Sequence, residues 1–306
     1  MTTQRTLLEV DLTPLAGARF QPTGFPDLGA AEFTTSDGTQ ALLLESAQSM
    51  ANWLEGTTWD AARCEQAEEL AGLPYLRIVD AEGAFLSSSR LEAHRLASAY
   101  VMNGKVGGDG GEDWMAKRLG LTMGKPLDYR AVARACFALD PVSLIHGVFF
   151  ARSKWPWQPK IARAVTSFVE AYRVLPAVNG GVKRDGVINR AESGATTEGY
   201  GMVPFSRVEY TAGRITAYFT VDHAQLRSYG LSDSATALLE ALADFEIGTL
   251  LAGGLRLRTA CDLRTVEVRG ELPDAEEAAA RVAKLAVECS SELGPVTEVH
   301  WTGRSK

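Results

Sequence analysis

The sequence predicts an α+β fold, and three observations carry that prediction. Strand-like and helix-like stretches interleave irregularly, which favours an α+β layer over a regular doubly wound sheet. The 306 residues are 46% hydrophobic and 23% charged, enough for a full core and incompatible with a disordered or fibrous chain. Cys64, Cys136, Cys261 and Cys289 lie far apart without a Cys-x-x-Cys, so neither a disulfide framework nor a zinc knuckle is indicated. No apolar run suits a signal peptide or a membrane span, and a soluble cytoplasmic protein is expected.

Taken in order, Leu8, Val10 and Leu12 alternate with polar residues and predict an opening strand that stops at Pro14. A Gly- and Pro-rich segment follows, GARFQPTGFPDLGAAEF, and then ALLLESAQSMANWLE, a short strand running straight into a helix. Ala47, Met50, Ala51 and Leu54 give that helix its apolar stripe at i, i+3, i+4 and i+7. Helices are expected over 60–72 and about 112–137, separated by the strand LPYLRIVD and the loop NGKVGGDGGED. LIHGVFF reads as a buried strand, IARAVTSFVEAYRVL as a helix, and 179–205 as a long loop. SRVEY–TAGR–ITAYFTVD predicts a hairpin turning at Gly213. The chain closes with a helix in SATALLEALADFEIGTLL, a strand or bent pair in GLRLRTACDLRTVEVRG, a helix in PDAEEAAARVAKLAVECSSEL and a last strand, VTEVHW.

The formal net charge of −7 argues at first against a nucleic-acid partner, but its distribution does not. Residues 151–190 hold eight basic side chains against Glu170 and Asp185, a net +6, leaving −13 for the other 266 residues. One basic region on an acidic body binds phosphates there and repels them elsewhere. A merely solvated basic face is the plain alternative.

Familiar catalytic signatures fail when checked. Gly120-Leu-Thr-Met-Gly124-Lys125-Pro126 is one residue short of a phosphate loop and has Pro where Ser or Thr must hold the metal. The glycines between 104 and 111 form no dinucleotide fingerprint, and Asp109, Glu112 and Asp113 beside them would repel phosphate. His94, His146, His223 and His300 share no ligand spacing, and His146 reads as a hydrogen-bonded core residue. No cofactor or metal is called for, and a small-molecule enzyme would lack any recognisable motif.

Two stretches are too particular to be filler: Arg19-Phe20-Gln21-Pro22-Thr23-Gly24-Phe25-Pro26-Asp27-Leu28-Gly29 and Glu45-Ser46-Ala47-Gln48-Ser49-Met50-Ala51-Asn52. With the apolar stripe turned inward, Gln48 and Asn52 share the opposite helix face, with Ser49 close by. Amide and hydroxyl groups at a helix start suit phosphate and sugar oxygens. Simple capping by Ser46 accounts for part of the same pattern.

These stretches, with SRLEAHRL and HGVFFARS, resemble the backbone subunit of type I-G (formerly I-U) CRISPR effector complexes, in the "Cas-seven" group of the RAMP superfamily. The resemblance runs in order from the opening strand to GLRLRTACDL. It implies an α+β fold: a modified RNA-recognition-motif (ferredoxin-like) palm with inserted helical fingers and a β-hairpin thumb. Palm strands would fall near 7–12, 42–45, 144–150, 207–221 and 255–268. In chain order, 1–54 would begin the palm, 55–137 would be mostly helical fingers and 138–178 a palm strand and basic helix. Residues 179–205 would make a thumb-like loop or hairpin, and 206–306 the rest of the palm. The implied function is a non-catalytic subunit that polymerises along guide RNA and supports RNA-guided binding of target DNA in antiviral defence. Its implied partners are the guide, target DNA, further copies of itself, guide-end-capping and large subunits, and a recruited helicase-nuclease.

Ser46-Ala47-Gln48-Ser49 stands where related subunits carry a Ser-Ser-Gln or Gly-Ser-Ser helix start that holds guide backbone. Asn52 stands where relatives often carry a basic residue, which favours neutral hydrogen bonds. Candidate RNA contacts are therefore Arg19, Phe20, Gln21, Ser46, Gln48, Ser49 and Asn52. In the basic region they are Arg152, Lys154, Lys160, Lys183 and Arg184, with Trp155 and Trp157 placed to stack on bases or to pack into a neighbouring subunit. Asp27 sits where an Asp cleaves target RNA in related complexes, which is the alternative reading.

Overall fold

The computed structural model describes residues 3–25, 29–183 and 203–303. Six elements form its centre: β1 (Arg5–Pro14), α1 (Ala47–Gly56), β2 (Val165–Tyr172), β3 (Arg214–Asp222), α2 (Asp233–Ala252) and β4 (Cys261–Arg269). Their strands lie side by side in the order β4-β1-β3-β2, every pair antiparallel. A βαββαβ chain with spatial order 4-1-3-2 is the expected ferredoxin-like palm. Strands Gln40–Glu45, Gly29–Thr34 and Gly24–Phe25 extend the sheet beyond β2, and Leu255–Arg258 flanks β4.

Alternation decides which face is buried. Leu8, Val10 and Leu12 of β1 and Ile215, Ala217, Phe219 and Val221 of β3 are buried beneath the helices. Met50, Ala51 and Leu54 of α1 and Leu238, Leu242 and Phe245 of α2 complete the core. On the opposite face Arg269 bridges Glu9 and Asp11, at 2.9 and 2.7 Å. Phe168 and Tyr218 stack there with centroids 5.0 Å apart.

Three sequence expectations for residues 144–222 are corrected. The helix expected over 161–175 is strand β2, in which Val165, Ser167, Val169 and Ala171 are buried and their neighbours half-buried. Paired on both sides, by β3 and by Gln40–Glu45, this stretch buries its apolar residues only with period two. The strand expected over 144–150 begins instead as a buried helix, Pro141–His146. Asp140 caps it by accepting from Val142 N at 3.2 Å, and Pro141 opens its first turn. The hairpin expected to turn at Gly213 does not exist, because the strands on either side of it are successive parts of one arm. Past the palm, β2 and β3 continue as Leu175–Lys183 and Val203–Thr211, paired from Leu175↔Thr211 to Lys183↔Val203. The arm breaks at Arg173, whose φ is 54°. It occupies both ends of the predicted thumb region, and residues 184–202 lie outside the described residues.

Between α1 and β2 the chain makes one long insertion, residues 57–164, where mostly helical fingers were expected over 55–137. It is mixed rather than helical. Helices Gly111–Arg118 and Tyr129–Leu139 replace the single helix of 112–137, interrupted by Gly120 and Gly124, both at positive φ. The helix expected over 60–72 reduces to the 3-10 turn Glu68–Leu70 and the paired dipeptides Trp59–Asp60 and Glu65–Gln66. A five-stranded sheet runs Asp109–Gly110, Lys105–Val106, Thr297–His300, Leu76–Val79, Phe85–Ser88. Its middle strand comes from beyond the palm, after α3 (Ala275–Glu288), which packs on α2. Among the described residues no helix is long and apolar enough to cross a membrane.

Candidate nucleic-acid interface

The four distinctive stretches of the sequence meet along α1, the first at its start and the other two at its end. Thr23 N donates to Leu44 O at 2.9 Å, which lays the first stretch against the second. Glu55 at the end of α1 receives Arg95 through both carboxylate oxygens, at 2.5 and 2.7 Å, which joins the second to SRLEAHRL. Arg95 Nη1 also donates to Gly147 O at 3.0 Å and so reaches HGVFFARS. Gly147 also lets the 161–163 backbone lie close: its φ is 80°, and a Cβ there would sit 2.8 Å from Ile161 O. Under this seam His146 Nε2 and Glu246 Oε2 lie 2.6 Å apart, both fully buried, so His146 is the core residue its surroundings predicted.

Ser46 is the N-cap of α1, its hydroxyl accepting from Ser49 N at 3.2 Å. Ser49 in turn gives its hydroxyl to the buried Glu45, which also pairs with Arg258. Both serines are therefore engaged within the protein. Gln48 and Asn52 stand exposed on the outer face of the helix, as the periodicity predicted. Arg258 Nη1 donates to Gln21 O at 2.8 Å and holds the 19–23 segment beside the helix start.

Arg163 closes the other flank, donating from Nη1 to Ala47 O at 2.7 Å. Partial burial and the nearby Arg95 lower its pKa, with Glu55 opposing. Next to it lies a cavity of about 230 Å³, lined by His94, Arg95, Phe149, Lys160 and Arg163 among others. Phe149 is half exposed and Lys160 Nζ is 5.8 Å from its ring centroid, a cation beside an open aromatic face.

At the root of the arm Phe20 and Tyr210 exchange backbone hydrogen bonds at 2.9 Å each way, and Phe20 is buried. Its ring is a core anchor and cannot meet RNA, which corrects the sequence reading. Buried Glu209 accepts from Asn179 at 2.9 Å and Arg207 at 2.8 Å, with Arg19 at 3.7 Å. Burial pushes the Glu209 carboxyl up, but these partners pull it further, to a net value below the usual carboxylate range.

The tryptophans separate. Trp155 is buried against Phe150, centroids 5.9 Å apart, so it does not stack on a base. Trp157 is 42% exposed, and its Nε1 donates to Lys125 O at 2.8 Å. Lys154, Lys160 and Lys183 are exposed and Arg152 is half-buried; Arg184 and Asp27 lie outside the described residues. Sequence reasoning passed over His94, Arg95, Phe149, Arg163 and Arg258. The first three lay in the distinctive stretches SRLEAHRL and HGVFFARS, and Arg163 in the basic region.

A family model described as CRISPR-associated protein GSU0053 (Cas_GSU0053) matches residues 6–176. Among solved structures, a chain of a "CRISPR RNA-guided surveillance complex, pre-nicking" is similar at TM-score 0.44 and 11% identity, covering 86% of this chain and 75% of that one. Csc2 of Thermofilum pendens is similar at TM-score 0.34 and 12% identity, covering 95% and 76%. No curated protein matches.

Proposed function

Since the chain belongs to the GSU0053 family of CRISPR-associated proteins, we propose that it is the backbone subunit of a Cascade-type effector, laid along guide RNA with the start of α1 against the RNA backbone. One observation supports this reading above the others: four stretches distant in sequence are sewn together around α1 by the contacts of Thr23, Glu55, Arg95 and Gly147. We take the groove to run from the exposed amides of Gln48 and Asn52 on α1 to Lys160 and Arg163, which line the cavity beside Arg95. Such a surface holds phosphate and sugar oxygens without reading bases, as a subunit accepting any guide sequence requires. Target DNA, further copies of the chain and other effector subunits are its partners in this reading, and its part is to scaffold rather than to cleave.

Co-expression with a CRISPR array tests the reading. The purified protein is expected to carry guide-length RNA and to lose it progressively as salt rises. Protein free of nucleic acid at low salt would sink the proposal. Asp27→Ala is expected to leave a guide-matched RNA as intact, in magnesium, as the wild type does. Regular cleavage that disappears in this variant would make the chain a ribonuclease.

A further inference from the structure

A second basic surface lies on the insertion, outside the groove at α1. Residues 117–134 hold Lys117, Arg118, Lys125, Arg130 and Arg134 against Asp128 alone, a net +4 inside an acidic chain. Asp128 is occupied as a helix cap, accepting from Arg130 N at 3.0 Å and Ala131 N at 3.1 Å. Lys117 is paired with Asp109 at 3.2 Å. The other four cations are exposed, and among the described residues none of them has a carboxylate partner. Arg130 and Arg134 stand one turn apart on a single helix face, where like charges repel. Arg118 and Arg134 border a cavity of about 430 Å³ floored by Ala131, Ala135, Phe137 and Leu231. Its one acid, Glu292, accepts the Ser232 hydroxyl.

Flat apolar side chains sit among these cations. Tyr129 is 58% exposed beside Arg130, and Trp157 is anchored to this surface, not to the groove, by its bond to Lys125 O. Arg118 lies over the Trp114 ring, its guanidinium carbon 5.5 Å from the centroid, and Arg130 donates to Gly230 O at 3.2 Å, contacts that leave both charges unneutralised. Arg95, Arg258 and Arg269 each meet carboxylates. Exposed cations without carboxylate partners, spread over two helices and the turn between them with open aromatic faces beside them, match a ligand that brings both phosphates and unstacked bases.

We propose that this finger surface is a second nucleic-acid site, which takes the phosphodiester backbone of single-stranded DNA while the groove at α1 holds the guide. The division of labour rests on the guide-RNA reading, but the surface itself is tested separately.

The test compares wild type with R118Q/K125Q/R130Q/R134Q, all exposed positions, with thermal melting to confirm an unchanged fold. Guide RNA retained on purification is expected to be equal in the two. Affinity for a labelled single-stranded DNA unrelated to the guide is expected to fall ~10–100-fold at ~0.1 M salt, and the salt slope to flatten by ~2–3. Trp157→Leu is expected to lose affinity about 3–10-fold and to abolish fluorescence quenching by the DNA. Equal DNA affinity in wild type and the fourfold variant overturns the proposal, as does loss of guide RNA in the variant, which would fold the surface into the guide track. Duplex DNA or polyglutamate binding as tightly as the single strand would reveal a general polyanion surface and also overturn it. If the wild type carries no guide, the reading of the α1 groove fails, while the same titration on the bare protein still decides the finger surface.

Discussion

β2 and the strand Leu175–Lys183 are consecutive lengths of one arm, each paired antiparallel with the opposing length, yet they differ in what covers them. Along β2 every second residue is buried, Val169 completely. Beyond the break at Arg173 the ladder continues, but Leu175 is 67% and Val178 83% exposed. Pairing and packing are thus separable. The inner half is fixed by a core on its helix face, while among the described residues the outer half is held by its own ladder and by the root around Phe20, Tyr210 and Glu209. A two-stranded ribbon without a packed face is marginal by itself, so the root decides how firmly the outer arm stands.

The sharpest way to break this comparison is one charge placed in each half. Val169→Asp buries a carboxylate without a partner and is expected to cost about 4–5 kcal/mol, measured as the urea midpoint or as loss of soluble protein. Val178→Asp is expected to stay within about 0.5 kcal/mol. Similar losses from both would mean that the outer half is packed after all.

Removing the root should matter next most. Phe20→Ala empties a buried site and is expected to cost about 3–4 kcal/mol. It should also speed proteolysis of the arm more than proteolysis of the palm, since Phe20 joins the two.

The two regions should answer pH with opposite signs. Burial lowers the His146 pKa, but Glu246 and Glu55 raise it by more, against Arg95, so the net shift is upward. A raised histidine contributes stability that is complete below its unfolded value of about 6.5 and is lost as pH climbs through the folded one. Palm stability is therefore expected to decline from pH 6 towards alkaline pH, and His146→Gln to flatten that slope. Glu209 is shifted the other way, so its contribution holds above its unfolded value of about 4.3 and disappears as pH falls through the lower folded one. Hydrogen exchange of the outer arm should accelerate first in acid, and Glu209→Gln should remove that dependence.

The smallest effect on folding is expected at the groove itself. Gln48→Ala with Asn52→Ala should change stability by less than about 0.5 kcal/mol, because both side chains are exposed. RNA retained on purification should nevertheless fall, each lost hydrogen bond being worth about 1 kcal/mol. Full retention would remove this helix face from the guide site.

How far the fold could be read from sequence depended on whether one periodicity stood alone. β1, α1 and α3 show a single period, α1 with Ser46 as its cap, and were legible, while α2, buried nearly all round, was legible from the length of its apolar run. In 161–175 two periods coexist: Val165 and Val169 fit a helix face, while Val165, Ser167, Val169 and Ala171 fit a strand face. Buried Ser167 hid the second pattern, and pairing on both edges, invisible locally, decided the outcome. LIHGVFF misled in the opposite direction, because the deciding Asp140-Pro141 cap lies before the apolar run. At the site, the exposure of Gln48 and Asn52 followed from helical spacing. The fates of Phe20 and Trp155 did not, because an aromatic side chain beside basic residues reads the same whether it faces a base or a core. Arg163 could be placed only once β2 had been recognised as a strand, since the residues leading into that strand bring it to Ala47.

The middle strand of the five-stranded sheet, Thr297–His300, has a consequence for biosynthesis. It pairs in parallel with Leu76–Val79 across more than two hundred residues, and without it the sheet falls into two separate strand pairs. Residues 57–164 leave the ribosome early, but their sheet cannot close until residues 297–300 have been translated. Contacts this distant in sequence form slowly and leave strand edges open in the meantime. A ribosome-bound or prematurely terminated chain that lacks residues 297–300 therefore does not carry the closed sheet.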